Sequence, residues 1–271
     1  MSPKREKPVI FTSDLHVDRW DRERRDSFFR FLDHVERTAA EFFIIGDILD
    51  FPAAKGQSVW PRHRDLITRL REMPAAGVPF TYIIGNHDIS LRGIEIAEAG
   101  FTVTYCDAKN PVERDLLGKK VYMDHGHFHD PLFQDHIYDA MDFLRDVTGA
   151  AVDRKAVDFL KDVIRIFQRR PKHGADKDEI PAREEVGVPD RFLKIWEQAA
   201  EQLLKRMRYD IVMFGHTHAP AIVEMPGQGR KSQWYVNTGD WVAHTTFVEL
   251  TAKKMALKDW AAGETLKEVA F

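Results

Sequence analysis

The run Tyr209-Asp210-Ile211-Val212-Met213-Phe214-Gly215-His216-Thr217-His218 determines how the rest of the chain reads. A short apolar stretch ends at a glycine, and two histidines stand either side of one threonine. Read as a buried strand, Ile211 to Phe214 delivers the chain to Gly215, where the backbone is able to turn. His216 and His218 are then presented together at the strand's mouth. Neutral imidazole is the commonest biological metal ligand. Two this close serve one ion, or one ion each of an adjacent pair. The plain alternative is a surface loop with two solvated histidines, and the preceding residues decide against it.

Upstream, the same ending recurs. Pro8 to Ser13 reads as a strand, rich in β-branched and aromatic residues, and ends at Asp14-Leu15-His16. Residues two apart in an extended chain share a side, so Asp14 and His16 form a carboxylate–imidazole pair. Trp20 to Arg37 carries Phe28, Phe31, Leu32 and Val35 at helical spacing. Glu41 to Ile45 is the next strand, ending at Gly46-Asp47, with Asp50 close behind. Pro61 to Glu72 reads as a helix with Leu66, Ile67 and Leu70 on one side. Pro79 to Ile84 is a strand ending at Gly85-Asn86-His87-Asp88. Strands alternating with helices at this spacing predict right-handed βαβ units and a sheet of parallel character. Ligands of such sheets bind beyond the carboxyl ends of the strands, where each polar cluster lies.

Phe101 to Tyr105 and Lys119 to Met123 read as further strands, the second ending at Asp124-His125-Gly126-His127. Residues 128–208 change character. Phe133, Ile137, Met141 and Leu144 recur at helical spacing, as do Phe192, Ile195, Trp196, Ala199, Leu203 and Met207. Between these lie Val152, Ala156, Phe159, Leu160, Val163 and Phe167, again at helical spacing, followed by a polar stretch with Gly and Pro from Pro171 to Pro189. This segment is expected to be a helical cap inserted into a single domain spanning 1–271. After His218, Ala221 to Met225, Gln233 to Val236, Thr245 to Leu250 and Met255 to Trp260 read as antiparallel strands joined by short turns. Asn237-Thr238-Gly239-Asp240-Trp241 lies among them.

Composition narrows the class. The 271 residues are 44% apolar with a net charge of -3, which gives no global attraction to nucleic acid or anionic membrane. Cys106 is the only cysteine, so no intrachain disulfide forms, and one thiol fits a cytoplasmic protein. The start fits no signal peptide. No uncharged run spans a bilayer, so any membrane contact is expected from one side only.

Five strand ends therefore carry Asp14, His16, Asp47, Asn86, His125, His216 and His218. Mixed nitrogen and oxygen donors without thiolate suit Mn, Fe, Zn or Co rather than calcium or a soft metal. The set is too large for one ion with an open position. It suits two ions bridged by one carboxylate, and two ions about 3.5–4 Å apart clamp a phosphoryl group for in-line attack.

Asp14-x-His16, Gly46-Asp47, Gly85-Asn86-His87-Asp88, His125 and Gly215-His216-x-His218, in this order, resemble the calcineurin-like metallophosphoesterase superfamily. The resemblance implies an α/β fold, a four-layer α/β/β/α sandwich. It assigns Asp14, His16, Asp47 and His218 to one ion, and Asp47, Asn86, His125 and His216 to the other, with Asp47 as the bridge. Two divalent ions are implied, Mn2+ foremost, with Fe, Zn, Co and Mg as alternatives. His87, beside a ligand, takes the place of the superfamily's general acid. Asp88 either orients that imidazole or caps the next segment, and Asp50 is either a supporting carboxylate or a turn residue. His127 and His129 either reach substrate phosphate or stay solvated.

Within the superfamily, the insertion, the run His216-Thr217-His218-Ala219-Pro220-Ala221 and Asn237 to Trp241 look like the UDP-2,3-diacylglucosamine pyrophosphatases. The best-known branch carries arginine where this chain has His87, and His-Gly-Asp where it has His125-Gly126-His127. The reading expected from this likeness is hydrolysis of a pyrophosphate or phosphodiester bond in a lipid-linked nucleotide. It implies peripheral contact with the inner membrane surface, while the charge balance gives the expectation of no nucleic-acid partner. A phosphodiesterase or phosphatase acting on a soluble nucleotide is the alternative, and a metal-free scaffold is a third. The basic cluster Arg165, Arg169, Arg170 and Lys172 suits a phosphate or membrane surface, or else a solvated helix end.

Overall fold

Apolar runs of four or five residues, each closed by a glycine or a polar cluster, set the architecture. A computed structural model of the chain describes residues 7–50, 62–92, 96–107, 110–130, 190–226 and 232–271. The strands are β1 (Val9–Thr12), β2 (Glu41–Ile45), β3 (Phe80–Ile83), β4 (Ile96–Glu98), β5 (Phe101–Thr104), β6 (Val112–Leu116) and β7 (Lys119–Met123). They continue with β8 (Ile211–Phe214), β9 (Ala221–Met225), β10 (Gln233–Asn237), β11 (Thr246–Leu250), β12 (Lys254–Asp259) and β13 (Glu264–Ala270). Eight of them form one sheet in the order β13-β12-β11-β1-β2-β3-β5-β4, and five form a second in the order β6-β7-β8-β10-β9. In the first, β1, β2, β3 and β5 run parallel. In the second, β7, β8 and β10 do. β10 was expected to join antiparallel neighbours only; it pairs antiparallel with β9 but parallel with β8.

Strand alternation divides the apolar residues between two faces. Val9, Phe11, Phe43, Ile45, Ile83, Val248 and Leu250 of the first sheet share one core cluster with Val121, Met123, Val212, Phe214 and Val236 of the second. The opposite face of the first sheet receives α1 (Arg22–Thr38). Asp21 caps its amino end by accepting from Arg24 N at 2.7 Å. Phe28, Phe31, Leu32 and Val35 repeat at three and four residues and are buried. The Phe31 ring lies 6.0 Å from Phe42 and 5.0 Å from Phe247. Each such side chain contributes about 1.5–3 kcal/mol on burial. α2 (Arg64–Glu72) buries Leu66 and Leu70. α3 (Asp190–Met207) covers the second sheet, with Trp196, Ala200 and Leu204 in the shared core. The layers are thus helix, sheet, sheet, helix.

By its contacts the chain divides into two compact units, residues 1–127 with 187–271, and residues 128–186. The expected cap over 128–208, with its basic cluster, lies outside the described residues except for 128–130 and α3, and α3 belongs to the first unit. Among the described residues no helix is long and apolar enough to cross a membrane.

Candidate metal centre

Parallel strands end together, so β1, β2 and β3 of one sheet and β7, β8 and β10 of the other release their polar ends at one rim. Asp14, His16, Asp47, His216 and His218 all adopt the left-handed backbone, with φ of 52°, 43°, 55°, 65° and 55°. Non-glycine residues there cost about 1–3 kcal/mol each and persist where the surroundings fix them. Bonds between strand ends do so: Asp14 N donates to Gly46 O at 3.0 Å, His16 N to Asp47 O at 3.0 Å, and Gly215 N to His125 O at 3.0 Å. The motif glycines leave room for their neighbours' side chains. A Cβ on Gly215 would stand 2.5 Å from Asp14 Oδ2, and one on Gly46 would overlap the His125 ring.

The structure brings all seven expected donors together, in two overlapping groups. His218 Nε2 lies 3.2 Å from both Asp14 Oδ1 and His16 Nε2, and His16 Nε2 lies 3.7 Å from Asp47 Oδ2. His125 Nε2 lies 3.2 Å from the same Asp47 Oδ2 and 3.0 Å from Asn86 Oδ1, which is 3.0 Å from His216 Nδ1. Asp47 Oδ2 is the atom common to both groups. Ions bound at about 2.0–2.2 Å place neighbouring donors roughly 3–3.5 Å apart, and these spacings fall in or close to that range. The residues present therefore fit the divalent ions. Asp14 Oδ1, wholly buried and without a hydrogen-bond partner, supports this reading.

The electrostatics point the same way. Burial alone would raise the Asp14 carboxyl, yet His125 and His218 hold it below its ordinary range. Burial opposes charge on His125, but Asp47 and Asp14 push it up to about 10. Burial is likewise overcome at His218, raised by Asp14. Two buried carboxylates demand positive charge, and protons on imidazoles supply it when no cation does.

His87 follows Asn86, its backbone N donating to Asp47 Oδ1 at 2.9 Å. Its ring stands edge-on to His16 with centroids 4.7 Å apart. His87 Nδ1 is 2.7 Å from Asp50 Oδ1, while Arg19 Nη2 donates to Asp50 Oδ2 at 2.6 Å. Asp50 is thus the carboxylate that orients His87, and the turn reading falls away. Asp88 does not face the imidazole. It accepts from Ile48 N at 2.9 Å, Gly85 N at 2.6 Å and the Tyr82 hydroxyl, bracing the loops after β2 and β3. His127 is buried, its ring 5.5 Å from His125 and 6.4 Å from His216, so a solvated turn is excluded for it. Arg19 carries no motif signal, and only the fold discloses it.

An α/β/β/α sandwich with a thiolate-free set of buried oxygen and imidazole donors at its parallel strand ends is the architecture of a metal-dependent phosphoester hydrolase. Residues 7–220 match the model of the calcineurin-like phosphoesterases, and the chain belongs to that family. It is a hydrolase of phosphoric ester or pyrophosphate bonds that uses divalent metal ions. A UDP-2,3-diacylglucosamine hydrolase of Salmonella typhi is 29% identical over 260 residues, covering 92% of this chain and 97% of the relative. Its counterpart from Escherichia coli O7:K1 is 26% identical over 256 residues, with the same coverage. A dimetal phosphatase from Danio rerio, 12% identical, superposes with a TM-score of 0.51 over 98% of this chain and 99% of its own. That likeness is one of fold.

Proposed function

We propose that this protein hydrolyses the pyrophosphate bond of a UDP-2,3-diacylglucosamine-like lipid precursor. The observation that carries the reading is similarity over 97% of the length of relatives named for that substrate. The proposed ligands are Asp14, His16, Asp47 and His218 for one ion and Asp47, Asn86, His125 and His216 for the other, with Mn2+ the first candidate. Bound ions supply charge neutralisation at the phosphoryl oxygens and a water of lowered pKa. The chain's own part is orientation and proton delivery. Asp50 occupies His87 Nδ1, which leaves Nε2 to donate to the leaving phosphate oxygen. Asp47 and Asp50 together outweigh burial and raise the His87 pKa, which favours the protonated acid form. With a lipid-linked substrate, the protein works in the cytoplasm at the inner membrane surface.

The test is direct. Manganese-loaded protein is given UDP-2,3-diacylglucosamine in mixed micelles, and UMP and the diacylated sugar 1-phosphate are quantified. Both products should appear in equal amounts, and far faster than from the unacylated nucleotide sugar. Equal rates on both would favour the soluble-nucleotide alternative.

A further inference from the structure

Asn237 to Trp241 has no assigned part in the reaction, yet it is wired into one half of the metal centre. Trp241 N donates to Asp14 O at 3.0 Å. Thr238 Oγ1 donates to Ser13 Oγ at 2.6 Å, and the one Ser13 hydroxyl proton faces Asp14 Oδ2 at 2.5 Å and Gly239 O at 2.9 Å, the carboxylate being the nearer and stronger acceptor. His216 N takes the remaining approach to that oxygen at 3.0 Å. Asp14 Oδ2 is therefore committed to protein donors, and Oδ1 is the oxygen left for an ion. Ser13 and Thr238 are fully buried, so water does not compete for these bonds.

Asp240 does the corresponding work for His218. Its Oδ1 accepts from Val242 N and Ala243 N at 2.6 Å each, and from His244 N at 3.2 Å. That cage fixes the carboxylate. Oδ2 is then turned toward His244 Nδ1 at 2.6 Å and His218 Nδ1 at 4.0 Å. At 4.0 Å Oδ2 makes no direct hydrogen bond to His218, so Asp240 acts on it by charge. A fixed carboxylate on the Nδ1 side favours the tautomer with its proton there, which leaves Nε2 to present its lone pair. The second group of ligands is held otherwise. His125 Nδ1 bonds Ile45 O at 2.9 Å, and Asp47 Oδ1 accepts from His87 N at 2.9 Å. No hydrogen bond of Ser13 or Asp240 reaches Asn86, His125 or the His216 ring; His216 meets this network only through its backbone N, which donates to Asp14 Oδ2.

We propose that Ser13 and Asp240 are positioning residues for the ion of Asp14, His16, Asp47 and His218, and do not govern the ion of Asn86, His125 and His216. The proposal rests on the ligand assignment given above. Ser13→Ala removes the hydroxyl proton from Asp14 Oδ2. Asp240→Asn keeps an oxygen for the three backbone donors while replacing the acceptor that faces His218. Metal-stripped parent and variants are titrated with Mn2+ by calorimetry, and bound metal is counted after dialysis. The parent should bind two equivalents. Each variant should retain one, with one dissociation constant raised about 10–100-fold and the other unchanged. Melting temperatures of the stripped proteins confirm that the variants fold. Two equivalents bound at parental affinity in both variants, or joint loss of both ions, would overturn the positioning role alone. Two equivalents retained by an Asp14→Ala control would overturn the ligand assignment, and the proposal with it.

Discussion

Asp47 is the residue on which both proposed ion positions depend. Its Oδ2 stands within 3.7 Å of His16 Nε2 and 3.2 Å of His125 Nε2, one from each group. Asp47→Ala should therefore lose both ions and abolish hydrolysis, and two metal equivalents retained by the variant would refute the bridge. His87 offers a sharper discrimination. His87→Ala should keep its metals and lose about 10²–10⁴ in kcat on esters with poor leaving groups, and little on activated aryl esters. Asp50→Asn should reproduce that selectivity more weakly, because it disturbs the imidazole without removing it. The histidines also set a pH dependence. The His125 pKa stands at about 10 in the metal-free protein, raised by Asp47 and Asp14 against burial. At neutral pH that ring is protonated, and binding an ion must expel the proton. Affinity should thus rise with pH between about 7 and 10 and level off above, as calorimetry in buffers of different ionisation enthalpy would register. The donors themselves are legible in the sequence, because each sits one to five residues past an apolar run. Around His87, Asp50 is legible as one of two readings, whereas Arg19, which bonds Asp50, is not, because it reaches the site only through the fold.

Elements with a continuous apolar run are equally legible. β2, β7, β8 and β9 occupy the spans that their sequences predict. β4, β6 and β13 escape prediction for a common reason. β13 reads Glu-Thr-Leu-Lys-Glu-Val-Ala and is almost wholly exposed at a sheet edge, and β6 buries only its terminal Val112 and Leu116. Pairing creates such strands where their own hydrophobicity does not. The helix stripe of α3 is readable, but its destination is not. Buried Trp196, Ala200 and Leu204 lie toward the second sheet, while Met207, counted in the predicted stripe, is 49% exposed. Trp196 fastens this element to the metal centre. Its Nε1 donates to Gly126 O at 2.8 Å, beside His125, and its ring centroid lies 5.8 Å from that of His216. Trp196→Phe keeps most of the packing but strands the carbonyl, and should cost about 1–3 kcal/mol. Trp196→Ala should cost about 3–5 kcal/mol by opening a cavity. Urea unfolding with metal present measures both, and equal losses would show that the hydrogen bond, not the ring, holds α3.

Substrate choice and chemistry are proposed to belong to different stretches of the chain. The seven proposed donors and His87 all lie in residues 14–218 outside the compact unit 128–186. In sequence that unit begins at residue 128, directly after His127. It also carries apolar residues such as Phe133, Phe159 and Phe167, with a basic cluster from Arg165 to Lys172. Apolar side chains joined to a few cations suit a ligand with acyl chains and phosphates. We therefore propose lipid recognition by this unit and bond cleavage at the strand ends. Replacing residues 131–186 by a Gly/Ser linker, with α3 retained because Trp196 and Leu204 complete the core, should preserve metal binding and aryl phosphodiester hydrolysis. The same variant should lose nearly all activity on UDP-2,3-diacylglucosamine. Metal content and cooperative unfolding are checked first, so that lost activity is not mistaken for a lost fold. If the trimmed enzyme cleaves the lipid substrate as fast as the parent, the inserted unit does not recognise acyl chains. Specificity would then have to arise at the strand ends themselves, around His87 and Arg19.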